Sequence, residues 1–106
     1  PNVDIVADDP YKWPVFSESY DVVVSGQTME HVEALWLWVD EVKRILKLGG
    51  TFILSAPWRF KEHRFPVDCW RILPDGMRFL LSGYAKMETM ECFMEGGFTF
   101  IAGKKV

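Results

Sequence analysis

The segment from Tyr20 to Pro57 limits the possible folds more than any other part of the sequence. Tyr20 to Ser25 carries three consecutive β-branched residues, Val22, Val23 and Val24. An unbroken apolar run of this kind buries both of its faces, which predicts an interior strand of a parallel sheet rather than an edge strand. Ser25 and Gly26 end it. From about Val32 to Lys47, Leu35, Trp38, Val39, Val42, Ile45 and Leu46 recur at three- and four-residue steps, the stripe of an amphipathic helix. Its acidic residues come early and its basic residues late, matching the helix dipole, and Asp40 and Arg44 stand at i,i+4 spacing. Gly49 and Gly50 supply the stop, where a left-handed residue is needed. Thr51 to Ser55 reads as a second strand, closed by Ala56 and Pro57. Strand, helix and strand in this order form a βαβ crossover, so the fold class is α/β.

The flanks are less regular. Upstream, Val3, Ile5 and Val6 make a short strand candidate closed by Asp8, Asp9 and Pro10, followed by the loop YKWPVFSES. Downstream of Pro57 the periodicity is lost over WRFKEHRFPVDCWRI, and long loops in compact domains are often functional. A short helix then starts at Pro74, with Met77, Phe79, Leu80 and Leu81 on its apolar side and Gly83 at its end. Two further strands are expected, roughly Lys86 to Met94 and Phe98 to Val106, joined by a hairpin turn at Glu95-Gly96-Gly97. The expected sheet has about five strands, mostly parallel, with a C-terminal antiparallel hairpin.

With 106 residues the chain holds one hydrophobic core, so residues 1–106 read as a single domain. Lys plus Arg is 12 and Asp plus Glu is 15, for a net charge of -3. A mildly acidic domain is poorly suited to neutralising phosphates, so neither a nucleic acid nor a membrane surface is an expected partner. No apolar run approaches the roughly 20 residues that span a bilayer. The two cysteines, Cys69 and Cys92, are too few for a disulfide framework. That count fits a reducing compartment and a cytoplasmic location. The sequence does not begin with Met, so either the initiator was removed or the chain starts inside a longer protein.

The stretch VDIVADDPYKWPVFSESYDVVVSGQTMEHVEALWLWVDEVKRILKLGGTFILSAP resembles the class I S-adenosylmethionine-dependent methyltransferases, in particular their type 11 group. Three pieces carry the likeness. They are the acid Asp8 after the first strand, the YDVVVSGQTMEHV block, and the helix ending RILKLGG followed by TFILSAP. In the family the last junction is usually LKPGG, and here Leu48 replaces the proline. HRFPVDCWRILPDGM resembles a subset of the same proteins. The family's glycine-rich G-x-G turn has no counterpart in this sequence, nor does the acid that holds the cofactor ribose. By the resemblance, the chain starts at the family's third strand. The resemblance implies a partial Rossmann-like methyltransferase sheet, the C-terminal part of the fold, lacking the N-terminal glycine-loop half.

The resemblance implies S-adenosylmethionine as cofactor and a small molecule as methyl acceptor, although a chain without the glycine loop is expected to bind the cofactor weakly or not at all. Asp8, with Asp9 beside it, would accept a hydrogen bond from the adenine amino group. The plainer reading makes both acids a solvated turn before Pro10. Ser25, Gly26 and Gln27 would lie beside the methionine portion and the acceptor, or else form a strand-to-helix turn with no ligand. His31 is read as packing at the start of the helix. Trp13 is a candidate to stack on adenine, whereas Trp36 and Trp38 read as core or interface. His63, Arg64, Trp70 and Arg71 fall where acceptor specificity is usually set. Arg64 or Arg71 would bind an anionic acceptor, or would pair with Asp68 or Asp75. No residue is singled out as catalytic. His63, Asp68 and Cys69 lack the repeated spacing of a metal site, so no metal is expected. Methyl transfer from a sulfonium needs no covalent enzyme intermediate, which leaves Cys69 without a nucleophilic role.

A second reading belongs to another class. Without the central strands of the sheet, the Val22–Val24 strand would have an unpaired side, and an apolar open edge seeks a partner. A truncated, non-catalytic protein would then self-associate as a homodimer through that edge.

Overall fold

The structure, a computed structural model, describes residues 3–106. Four strands form one mixed sheet in the order β1-β2-β4-β3. They are β1 (Tyr20–Gly26), β2 (Leu46–Pro57), β3 (Glu88–Glu95) and β4 (Phe98–Lys104). β1 and β2 are parallel, and β4 runs antiparallel to both β2 and β3. Helix α1 (Leu35–Ile45) joins the parallel pair, preceded by a 3₁₀ turn at Met29–His31. Helix α2 (Pro74–Arg78) continues into a π-helical turn at Phe79–Tyr84 before β3.

The α1 stripe behaves as its spacing predicts: Leu35, Trp38, Val39, Val42, Ile45 and Leu46 are all buried. All of these but Ile45 pack in one core with Phe52, Leu54, Ala56 and Ile101 of the sheet and with Met77 and Leu81 of the second helical segment. Alternation along β2 puts Phe52, Leu54 and Ala56 on this inner face and Thr51 and Ile53 on the other. In the register of the parallel pair, Val22 lies beside Thr51 and Val24 beside Ile53. Val22, Val24 and Ile53 are 52%, 68% and 44% exposed, so the outer face of the β1–β2 pair is apolar and uncovered.

Five expectations need correction. Residues 3–7 form no strand, and Val3, Ile5 and Val6 are exposed. A strand needs a neighbour for its N–H and C=O groups, and among the described residues none pairs with this segment. β1 is an edge strand instead of an interior one, for the same want of a neighbour. The sheet therefore has four strands, one parallel pair and two antiparallel pairs, in place of about five mostly parallel ones. Helix α1 stops at Ile45, before the glycines. Gly49, at φ 81°, turns the chain where the β1–β2 register jumps from Tyr20–Leu46 to Val22–Thr51. Gly83 lies inside the π-helical turn, which runs on to Tyr84.

The C-terminal hairpin forms as expected. Gly96 and Gly97 have φ of 58° and 88°, the left-handed pair that a two-residue hairpin turn requires. A Cβ on Gly97 would come within 2.8 Å of the Arg59 carbonyl oxygen, which lies across the sheet end.

Candidate functional site

The carboxyl ends of the two parallel strands lie side by side, with Gly26 opposite Ser55. In open α/β sheets this is where ligands bind. Ser25 is half-buried and Gly26 and Gln27 are exposed. Gln27 has φ 59°, a conformation rarely adopted by residues with a Cβ. Its N–H donates to the Ser55 carbonyl at 3.2 Å, and its Nε2 lies 3.5 Å from Ser55 Oγ. A Cβ on Gly26 would meet Ser55 Oγ at 3.6 Å, an ordinary contact, so the turn is open rather than crowded.

Asp8 and Asp9 precede this region on an irregular segment. Asp9 Oδ1 accepts the Tyr11 N–H at 2.8 Å, the turn of the plainer reading, while the Asp8 side chain is exposed and makes no hydrogen bond among the described residues. Trp13 is half-buried, edge-on to Trp38 with ring centroids 6.0 Å apart, and its Nε1 donates to the Pro10 carbonyl. Glu41 and Arg44 fix this loop. Glu41 Oε2 accepts the Trp13 N–H, and Arg44 donates to Glu41 and to the carbonyls of Trp13 and Val15. Arg44 thus pairs at i,i+3 with Glu41, not at i,i+4 with Asp40, because Glu41 also has a loop donor to satisfy. Asp40 instead accepts the Tyr84 hydroxyl at 2.9 Å.

The loop after β2 is ordered by contacts to the 3₁₀ turn. The Glu30 carbonyl accepts the N–H groups of Cys69 and Trp70, Trp70 Nε1 donates to the Val32 carbonyl at 2.6 Å, and His31 Nδ1 lies 2.7 Å from the Val67 carbonyl. Arg71 is fully engaged. It forks onto Asp68 with bonds of 2.7 and 2.9 Å and donates to the carbonyls of Phe60, Lys61 and Trp70. The Arg71 guanidinium, with the His63 N–H, holds the Asp68 carboxyl well below the usual carboxylate range. Of the two arginines, Arg64 is exposed and unpaired among the described residues, so it is the one free to meet an anion. Trp70 and Arg71 border an apolar groove of about 400 Å³ that Leu35, Trp36, Leu73 and Phe79 also line.

Glu30 is the residue that sequence reasoning missed. It is fully buried, and neither of its carboxylate oxygens has a hydrogen-bond partner. Oε2 faces His63 Nε2 at 3.4 Å and His31 Nε2 at 3.6 Å. Its only sequence signal is a charged residue within the TMEHV block, immediately before a helix.

Residues 1–54 match the family model described as a methyltransferase domain, 54 of the 106 residues. The chain belongs to the methyltransferase-domain family. Over 59 residues it is 39% identical to a Mycolicibacterium smegmatis protein described as a "probable S-adenosylmethionine-dependent methyltransferase", covering 56% of this chain and 23% of that protein. It is 27% identical to the chloroplastic 2-methyl-6-phytyl-1,4-hydroquinone methyltransferase 1 of Oryza sativa subsp. japonica, across 98% of this chain and 29% of the relative. Among solved structures, a SAM-dependent methyltransferase from Aquifex aeolicus superposes with a TM-score of 0.71 at 16% identity, covering 99% of this chain and 56% of that one. The [4+2]-cyclase SpnF superposes with a TM-score of 0.77 at 13% identity, covering 94% and 54%. At these identities the structures establish a partial Rossmann-like methyltransferase fold, and the cyclase among them shows that the fold does not fix the reaction. The chain spans less than a third of the two curated relatives and just over half of the two solved structures.

Proposed function

We propose that the protein containing this chain transfers a methyl group from S-adenosylmethionine to a small-molecule nucleophile. The observation that carries the reading is the open turn Ser25-Gly26-Gln27 at the carboxyl end of β1, inside the segment that matches the methyltransferase domain. S-adenosylmethionine is the cofactor that the family and the relatives imply. The residues present fit part of it. Asp8 offers a carboxylate free to accept from an exocyclic amine, and the Gly26–Gln27 backbone offers an approach free of side-chain crowding. When bound, the cofactor supplies an activated methyl on a sulfonium. This chain's own residues position and desolvate. Gln27 presents an amide that can donate and accept. His63, Arg64 and Trp70 border the acceptor side, and Arg71 acts as a positioning residue that holds the loop through Asp68.

Calorimetric titration of the full-length protein with S-adenosylhomocysteine tests this reading. Micromolar binding is expected, weakened about tenfold by Asp8→Asn, the loss of one charge-assisted hydrogen bond. Absence of binding, or binding untouched by Asp8→Asn and by Gln27→Ala, would refute it.

A second reading has its own support in the exposed Val22 and Val24 on an edge strand. Under it, the chain by itself pairs with a second copy through β1 and does no chemistry.

A further inference from the structure

We propose that Glu30, His31 and His63 form a binding site for one divalent transition-metal ion of the zinc type. One ligand atom from each lies within 4.8 Å of the other two. Four ligands at about 2.05 Å from a tetrahedral ion stand about 3.3 Å apart. The observed separations from Glu30 Oε2, 3.4 Å to His63 Nε2 and 3.6 Å to His31 Nε2, match that spacing closely.

The second shell is built as metal-ligating histidines need it. A backbone carbonyl can only accept, so the 2.7 Å contact to Val67 puts a proton on His31 Nδ1, and in the neutral ring Nε2 then carries the lone pair. His63 Nδ1 meets the Lys61 carbonyl at 3.2 Å and has the Asp68 carboxylate at 3.5 Å, with the same consequence. In the neutral rings both Nε2 lone pairs are thereby turned toward one carboxylate oxygen, the arrangement a bound cation would bridge. The two rings stand edge-on, 4.6 Å between centroids and 88° between planes, converging without stacking.

Glu30 supplies the independent observation. A buried carboxylate with no hydrogen-bond donor on either oxygen is costly unless a cation compensates it. Two imidazoles and one carboxylate select zinc, cobalt, nickel or ferrous iron over calcium and magnesium, which prefer all-oxygen sites. The histidine side chains are about one-fifth exposed, so a fourth position on the ion faces solvent, as in zinc sites with three protein ligands. Glu30 and His31 follow the end of β1, and His63 follows the end of β2, so the ion would sit at the ligand-binding end of the sheet. The site stands independently of methyl transfer.

The test is titration of the full-length protein with Zn²⁺ and, in parallel, with Co²⁺. One micromolar or tighter equivalent and tetrahedral Co²⁺ d–d bands are expected in the wild type. Glu30→Gln and His63→Ala should each weaken Zn²⁺ binding at least about 100-fold with the far-UV spectrum unchanged, because each removes a direct ligand. Cys69→Ser with Cys92→Ser should leave the affinity within about twofold. No binding below millimolar Zn²⁺, unaltered binding in Glu30→Gln, or loss of binding in the cysteine variant would overturn the proposal. Should the ligand variants not fold, ¹⁵N spectra of the wild type decide. The Nε2 resonances of His31 and His63 should shift and saturate at one equivalent, and unmoved resonances would mean that a protonated histidine is the partner of Glu30.

Discussion

Glu41 and Asp68 organise the two loops that flank the site. Each accepts from an arginine three residues later and from a backbone N–H, that of Trp13 for Glu41 and that of His63, five residues back in the same loop, for Asp68. Arg44→Leu should destabilise the chain by about 1.5–3 kcal/mol, the range for hydrogen bonds to charged groups, measured by urea unfolding. Arg44 holds the Glu41 carboxyl below its usual range, and Arg71 does the same for Asp68. A carboxyl lowered on folding stabilises above its unfolded pKa, and that stabilisation is lost as pH falls through the folded value. The urea midpoint should therefore decline below about pH 4, and Asp68→Asn should flatten part of that decline. Parallel acid limbs in the wild type and Asp68→Asn would count against the assignment. The Asp68–Arg71 pair was one of the alternatives open from sequence, because i,i+3 neighbours meet locally. The Glu30–histidine cluster was not legible, since it exists only once the loop carrying His63 docks on the turn after β1.

Among the elements, those set by local period were the most readable. The α1 stripe and the Gly96–Gly97 hairpin follow from spacing and turn chemistry in a few consecutive residues. The second helical segment forms as its residues predict, but Phe79, expected on the apolar side with Met77, Leu80 and Leu81, faces out. Leu81 is fully buried and Phe79 is 62% exposed. Leu81→Ala should cost about 2–5 kcal/mol, as large-to-small core changes do. Phe79→Ala should stay within about 0.5 kcal/mol. Equal effects would mean that the π-helical turn presents a different face. Gly97→Ala should cost more than Gly96→Ala, because it adds a clash with the Arg59 carbonyl to the roughly 1–2 kcal/mol of left-handed strain common to both.

At the scale of the molecule, the helices cover one face of the sheet and leave Val22, Val24 and Ile53 on the other exposed. The valine run was read as interior because its composition is that of an interior strand. Its place at the edge reflects neighbours that the described residues do not supply. If β1 mediates self-association of the 106-residue chain, light scattering should report a dimer that Val24→Lys returns to monomer. A wild-type monomer would remove the second reading.

The most direct test of the central claim is hydrogen exchange of the full-length protein with and without saturating S-adenosylhomocysteine. Slowed exchange is expected in peptides covering Ser25 to Thr28 and the Asp8 segment, with no change at the Gly96–Gly97 hairpin. Saturated binding with unchanged exchange at Ser25 to Thr28 would contradict it.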